Sequence, residues 1–116
     1  MSREKGEAAE RRAEDYLKSL GLVIVERNFR TRFGEIDLVA RDGETVVFVE
    51  VRFRSSNAFG LPQETVDAAK RRRIIRTAQA YVQSRRLDAP LRFDVVALSP
   101  RGALHIPAAF DASGFA

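Results

Sequence analysis

The chain has no cysteine and no tryptophan, and a single histidine, in 116 residues. Without cysteine neither a disulfide nor a thiolate metal site can form, so any metal must be held by other donors. The lone histidine, His105, falls on a short candidate edge strand, where an imidazole usually serves surface structure; it is assigned no catalytic role. No apolar run approaches the ~18 residues of a membrane span. The first residues, MSREKGEAAERRAEDYL, are too charged for a secretory leader. The expectation is a cytoplasmic protein with no membrane partner. No repeat or composition break divides the chain, which leaves one domain over residues 1–110 and a disordered tail, 111–116.

Hydrophobic residues make up 45% and charged residues 31% of the sequence, an ordinary globular balance. Twenty Lys and Arg face sixteen Asp and Glu, for a net charge of +4. The bases are not spread evenly. Lys70, Arg71, Arg72, Arg73, Arg76, Arg85 and Arg86 fall in a stretch that contains no acid. Such a stretch reads either as a solvated basic helix face or as a nucleic-acid contact, with Arg71, Arg72, Arg76 and, at the end of the preceding strand, Arg54 as the candidate phosphate ligands.

Most of the chemistry is concentrated between Gly34 and Arg54, GEIDLVARDGETVVFVEVRFR. Two β-rich runs, Glu35–Arg41 and Glu44–Arg54, are separated by Asp42-Gly43, a strong hairpin signal. A loop at those two residues sets Asp37 opposite Phe48 and Glu35 opposite Glu50. Alternation then gathers Ile36, Leu38, Ala40, Val47, Val49, Val51 and Phe53 on an uncharged core face. The other face mixes Glu35, Asp37, Arg41, Glu50, Arg52 and Arg54 with Val39, Val46 and Phe48. Asp37 and Glu50 become diagonal neighbours roughly 7 Å apart at Cα, able to hold one divalent metal between them. A solvated face of alternating Glu and Arg is the plainer reading. Against it, Val39, Val46 and Phe48 need cover, and Glu35 facing Glu50 needs a compensating positive charge.

Before the hairpin, Ser2–Leu20 has helical period, apolar at Ala9, Ala13, Tyr16, Leu17 and Leu20, with Gly21 as its stop. Arg11, Arg12, Glu14, Asp15 and Lys18 make the wet side. Glu10 lies on the apolar stripe, either at its solvated edge or beside a cation or metal inside. Leu22–Phe29 reads as a strand and Asn28–Phe33 as a polar link. After the hairpin, SSNAFGLPQE is a loop with Phe59 as an anchor, and Glu64–Arg86 is a second helix. Its stripe is Val66, Lys70, Ile74, Ala78, Tyr81 and Val82, so Lys70 is another charge on an apolar stripe; Arg72, Arg76, Gln79, Gln83 and Arg86 face outward. Leu91–Leu98 alternates as a strand, and Ala103–Ile106 returns as a short edge strand.

The segments GEAAE, NFRTRFGEIDLVARDG, VFVEVRFR, FGLPQETVDAAK, RFDVVAL and HIPAAF resemble the YraN family of small bacterial proteins, themselves similar to archaeal Holliday-junction resolvases and to the restriction-endonuclease-like nucleases. The resemblance implies an α/β fold with a central mixed β-sheet of about five strands flanked by α-helices. It also implies that Glu10, Asp37 and Glu50 stand where such nucleases place metal-binding carboxylates. Arg52 stands where they usually place a catalytic lysine. A guanidinium stays protonated and cannot act as a base, so Arg52 is expected to stabilise transition-state charge, with Lys70 assisting.

The expected function is therefore a metal-dependent endonuclease acting on branched or structured DNA. Mg²⁺, with Mn²⁺ as a substitute, would be held by Asp37 and Glu50, and by Glu10 directly or through water. Symmetric cutting of two strands would call for a homodimer. Two alternatives use the same residues: a nucleic-acid-binding module that lost the chemistry, and a structural protein whose acids only pair with Arg52 and Lys70.

Overall fold

Two helices and five strands follow one another as α1 Arg3–Ser19, β1 Val23–Thr31, β2 Gly34–Asp42, β3 Thr45–Phe53, α2 Ala68–Arg85, β4 Leu91–Ser99 and β5 Gly102–Phe110. They are seen in a computed structural model that describes residues 3–53 and 66–112. The loop with Phe59, Arg54, the expected first residues of the second helix and the last four residues of the tail lie outside that set. No described helix is long and apolar enough to cross a membrane.

The strands form one mixed sheet in the order β1-β2-β3-β4-β5. Neighbours are antiparallel except β3 and β4, which run parallel and need the α2 crossover between them. Helices α1 and α2 cover opposite faces. Ala9, Ala13 and Leu17 of α1 bury against Leu38, Ala40, Val47, Val49, Val96 and Leu98. Ile74, Ile75, Ala78 and Tyr81 of α2 bury against Val39, Val46, Phe48, Phe93 and Val95. Phe48 sits between Tyr81 and Phe93, with ring centroids 5.7 and 5.5 Å away, so the cover that its face required is supplied by α2. The architecture is an α/β fold compatible with the restriction-endonuclease-like class.

Local chemistry sets the helix ends. After α1, the Gly21 and Leu22 N–H groups bond back to the Lys18 and Leu17 carbonyls, and Gly21 takes φ +94°, a Schellman ending that glycine suits. At the start of α2, Asp67 Oδ1 accepts the Lys70 N–H at 2.8 Å and caps the helix. Described helix therefore begins at Ala68, and Val66 and Asp67 precede it rather than belonging to its first turn. Leu20, placed on the apolar stripe by its spacing, is 49% exposed, because the chain has already turned out of the helix there.

Several expectations are corrected. The β2–β3 turn is Gly43-Glu44, with Asp42 paired to Thr45, so Val39 faces Phe48 and the expected register is wrong by two residues. Gly43, at φ +61°, occupies the first central position, the place that a type II′ turn reserves for glycine. No polar link follows Asn28: β1 continues to Thr31 and pairs with Gly34 across an Arg32-Phe33 turn. β5 is nine residues long rather than a short return. Ile36 belongs to the α2-side core and not to the face of Leu38. The cause is Asn28, at φ +53° between the Arg27–Leu38 and Phe29–Ile36 pairs. A left-handed residue, which asparagine tolerates better than most, breaks the alternation of both strands at that point.

Candidate metal and nucleic-acid site

β2 parts from β3 at Asp37. The ladder between them ends at Leu38–Val49, while β2 stays paired with β1 as far as Gly34. Asp37 Oδ2 accepts the Val51 N–H at 2.8 Å, so a side chain takes over a donor that the departing strand no longer reaches. The parted strands open a cleft of about 320 Å³ lined by Asp37, Glu50, Val51, Arg52, Phe53 and Lys70. With the observed register, Asp37 comes level with Glu50; the two carboxylates interact directly rather than on a diagonal.

Glu50 is 5% exposed and is ion-paired by Lys70 Nζ, which α2 carries over the cleft. Arg52 lies further off, with a guanidinium nitrogen 3.5 Å from the same carboxylate oxygen. The positive charge demanded by the acids on this face thus comes from within the chain, but it reaches Glu50 and not Asp37. Among the described residues Asp37 makes no ion pair. Burial, then the neighbouring Glu50 and more distantly Glu10, push its carboxyl up to about 9, against the opposing pull of the Val51 N–H.

On the other side of Asp37 stands the α1 residue. Glu10, half-buried on its stripe, interacts with Asn28 and with Asp37. Its pKa is raised, first by burial and also by Glu35, while Asn28 and Arg30 oppose. Glu10, Glu35 and Asp37 each bring a carboxylate oxygen to within 4.8 Å of the others. Glu35 itself is ion-paired with Arg30, its cross-strand neighbour. This residue was read as a like-charge partner of Glu50; the corrected register removes it from Glu50 and delivers it to Glu10. The signal that identifies it is its position two residues before Asp37, on one strand and with the same charge.

The donors are all oxygen, they converge from two strands and a helix, and burial first, with neighbouring acids second, raises the carboxyl pKa values of Asp37 and Glu10, which a cation would relieve. That chemistry fits Mg²⁺. Asp37 lies at the centre, with Glu10 and Glu35 on one side and Glu50 on the other.

Along α2, Arg72 and Arg76 are exposed as expected, as are Gln79, Gln83 and Arg86. Arg71 is engaged differently: its Nε donates to the Val66 carbonyl at 2.9 Å and its guanidinium lies over Phe110. Two residues were misplaced by pattern alone. Glu14, assigned to the wet side of α1, is buried and held by Arg27 and Lys18, and Arg27 above all lowers its pKa. His105 is not a surface residue: its side chain is 11% exposed and its Nε2 lies 2.8 Å from fully buried Asp94. Burial pushes the Asp94 carboxyl up, but His105, Arg92 and the Ala108 N–H together hold it below the usual range.

The model of a family described as "Uncharacterised protein family UPF0102" matches residues 9–98. A UPF0102 protein of Persephonella marina is 45% identical over 108 residues, covering 92% of this chain and 93% of the relative. One from Shewanella halifaxensis is 46% identical over 106 residues, covering 91% and 94%. One from Methylobacillus flagellatus is 52% identical over 98 residues, covering 84% and 86%.

Proposed function

The chain belongs to the uncharacterised protein family UPF0102, the YraN family, and from that premise and the geometry around Asp37 we propose that it is a metal-dependent endonuclease acting on branched or structured DNA in the cytoplasm. One observation carries this reading. A carboxyl that makes no ion pair among the described residues sits between two further acids and an acid–lysine pair, at the mouth of a cleft that Lys70 of the basic helix also lines.

Asp37 and Glu10, with Glu35 on one side or Glu50 on the other, would hold Mg²⁺ or Mn²⁺. The ion would supply Lewis-acid polarisation of a phosphate and a more acidic water. The protein's own groups do the rest. Lys70 fixes Glu50 against the sheet through their ion pair. Arg52, 35% exposed at the side chain, offers a forked donor to phosphate oxygens in the cleft and cannot accept a proton. Asp37 would release its proton when a cation arrives. Arg72 and Arg76 would neutralise phosphates of the flanking duplex.

The Glu50–Lys70 pair favours a second reading, in which the acids serve only folding. Calorimetric titration with Mg²⁺ and Mn²⁺ separates the two: stoichiometric binding that is lost in Asp37→Asn supports the first. Cleavage of a branched duplex by rigorously purified protein, abolished by Glu50→Gln while DNA binding persists, separates a nuclease from a binding module. Symmetric incision would require a homodimer, which light scattering on a sizing column tests.

A further inference from the structure

An aromatic residue at a tight turn is unusual, because turns face water and favour Gly, Asn, Asp, Ser and Pro. Phe33 occupies the β1–β2 turn, and its placement is fixed rather than incidental. Its N–H is held by Thr31 Oγ1 at 3.0 Å. The next residue, Gly34, at φ +154°, faces α2 so closely that a Cβ there would lie 3.5 Å from the Arg73 Cβ and Thr77 Oγ1. The turn is thereby seated on the helix, and the Phe33 ring lies along a groove of about 290 Å³ that it lines with Arg76, Gln79, Ala80 and Gln83.

Two guanidinium groups flank the ring, Arg32 at 5.0 Å and Arg76 at 5.9 Å from its centroid. Arg32, Arg73 and Arg76 are exposed and make no ion pair among the described residues. Here a half-buried aromatic ring, the two cations Arg32 and Arg76 and two amide side chains adjoin one groove. Glu35, of the acidic cluster, is two residues further along the same strand. Phe33 is therefore about 13 Å from Asp37 along β2, within reach of one bound strand.

We propose that this groove is a stacking platform for an unpaired nucleobase. Phe33 would take the base face, Arg32 and Arg76 the adjoining phosphates, and Gln79 and Gln83 the base edge. A base within intact duplex is already stacked on both sides and cannot lie on Phe33, so the platform selects DNA with an unpaired nucleotide next to the strand that enters the cleft. The proposal narrows the substrate class of the nuclease reading and rests on it for the position of the cut, but base stacking itself needs neither metal nor cleavage.

The test is carried out on the full chain in EDTA. Affinity is measured for a single-stranded oligonucleotide carrying 2-aminopurine and for a blunt duplex of equal length. The expected result is tighter binding of the single strand, with 2-aminopurine fluorescence quenched on binding. Phe33→Leu keeps apolar cover on α2 but has no aromatic face; it should weaken single-strand binding about tenfold and leave duplex binding within about twofold. Phe33→Trp should restore both affinity and quenching. Equal affinities and no quenching in the parent protein, or equal losses for both DNAs in Phe33→Leu, overturn the platform. Quenching is read without metal, so a parent protein that quenches in EDTA but does not cleave when Mg²⁺ is supplied in a separate assay sinks the nuclease reading and leaves the platform standing.

Discussion

Asp37 Oδ2 accepts a hydrogen bond of 2.8 Å from the Val51 N–H on the neighbouring strand. A half-buried carboxylate thus satisfies a β3 donor that its own strand has left behind, and it does so beside Glu50, with no cation of its own among the described residues. The arrangement costs stability when Asp37 is ionised, and that cost makes the site testable.

Replacing Asp37 by Asn keeps an acceptor for Val51 and removes the repulsion. The folded-state pKa of Asp37 is raised, so its favourable contribution is complete below the unfolded value near ~4 and is lost as pH rises toward about 9. At pH 8, Asp37→Asn should therefore melt at least ~4 °C above the parent without metal, and the gain should vanish at pH 4. Addition of Mg²⁺ should raise the melting temperature of the parent and not that of the variant. Calorimetry at both pH values checks this.

Lys70 neutralises a nearly buried Glu50. Lys70→Met should destabilise the protein by about 2 kcal/mol, because the acid is left with only Arg52 at 3.5 Å. Lys70→Met combined with Glu50→Gln should recover most of the loss. Urea denaturation of the two single variants and the double variant gives the coupling directly.

Acid should unfold the protein through other carboxyls. Glu14 and Asp94 both titrate below their ordinary values. A depressed carboxyl adds stability that is present above its unfolded pKa of about 4 and is lost as pH falls through the folded one. Glu14→Gln should lower stability at pH 7 and flatten its decline below pH ~4. Melting curves across that range test the sign.

Changing Arg72 and Arg76 together to Ala should reduce the slope of log K against log[salt] for duplex DNA by up to about 2, for every sequence tried. Arg52 should affect catalysis rather than affinity. Arg52→Ala is expected to slow cleavage at least ~10² fold, while Arg52→Lys retains or raises it. Salt-dependent binding and single-turnover rates read these two effects independently.

Much of this was legible from pattern. Charges that interrupt apolar stripes pointed to Glu10, Asp37, Glu50 and Lys70, because a buried charge needs a partner wherever it falls. β-Rich runs, the Asp42-Gly43 turn signal and the alternation of Leu91–Leu98 pointed to all five strands, with β1 and β5 drawn too short. Register was not legible, since Asp42-Gly43 and Gly43-Glu44 are both acceptable two-residue turns and Gly43 suits either. Nor was the reversal of faces at Asn28: one backbone angle carries Phe29 and Ile36 to the α2 side, and no periodicity records it. Glu35 was missed as a consequence, because its assigned neighbour was Glu50. Glu14 and Asp94 were missed because a partner reaches each from another element, Arg27 of β1 for one and His105 of β5 for the other, with Arg92 joining Asp94 from its own strand.

The parallel β3–β4 pair bears on how the molecule assembles. Strands β1, β2 and β3 form a meander closed by two tight turns, whereas the β3–β4 contact must wait for a whole helix to cross over. Local pairing precedes distant pairing, because less chain entropy is lost in making it. Asp37 and Glu50 are therefore brought face to face by the meander before Lys70 is delivered from α2. Until α2 docks, Glu50 has Arg52 of its own strand but not Lys70, so added salt or millimolar Mg²⁺ is expected to speed that docking.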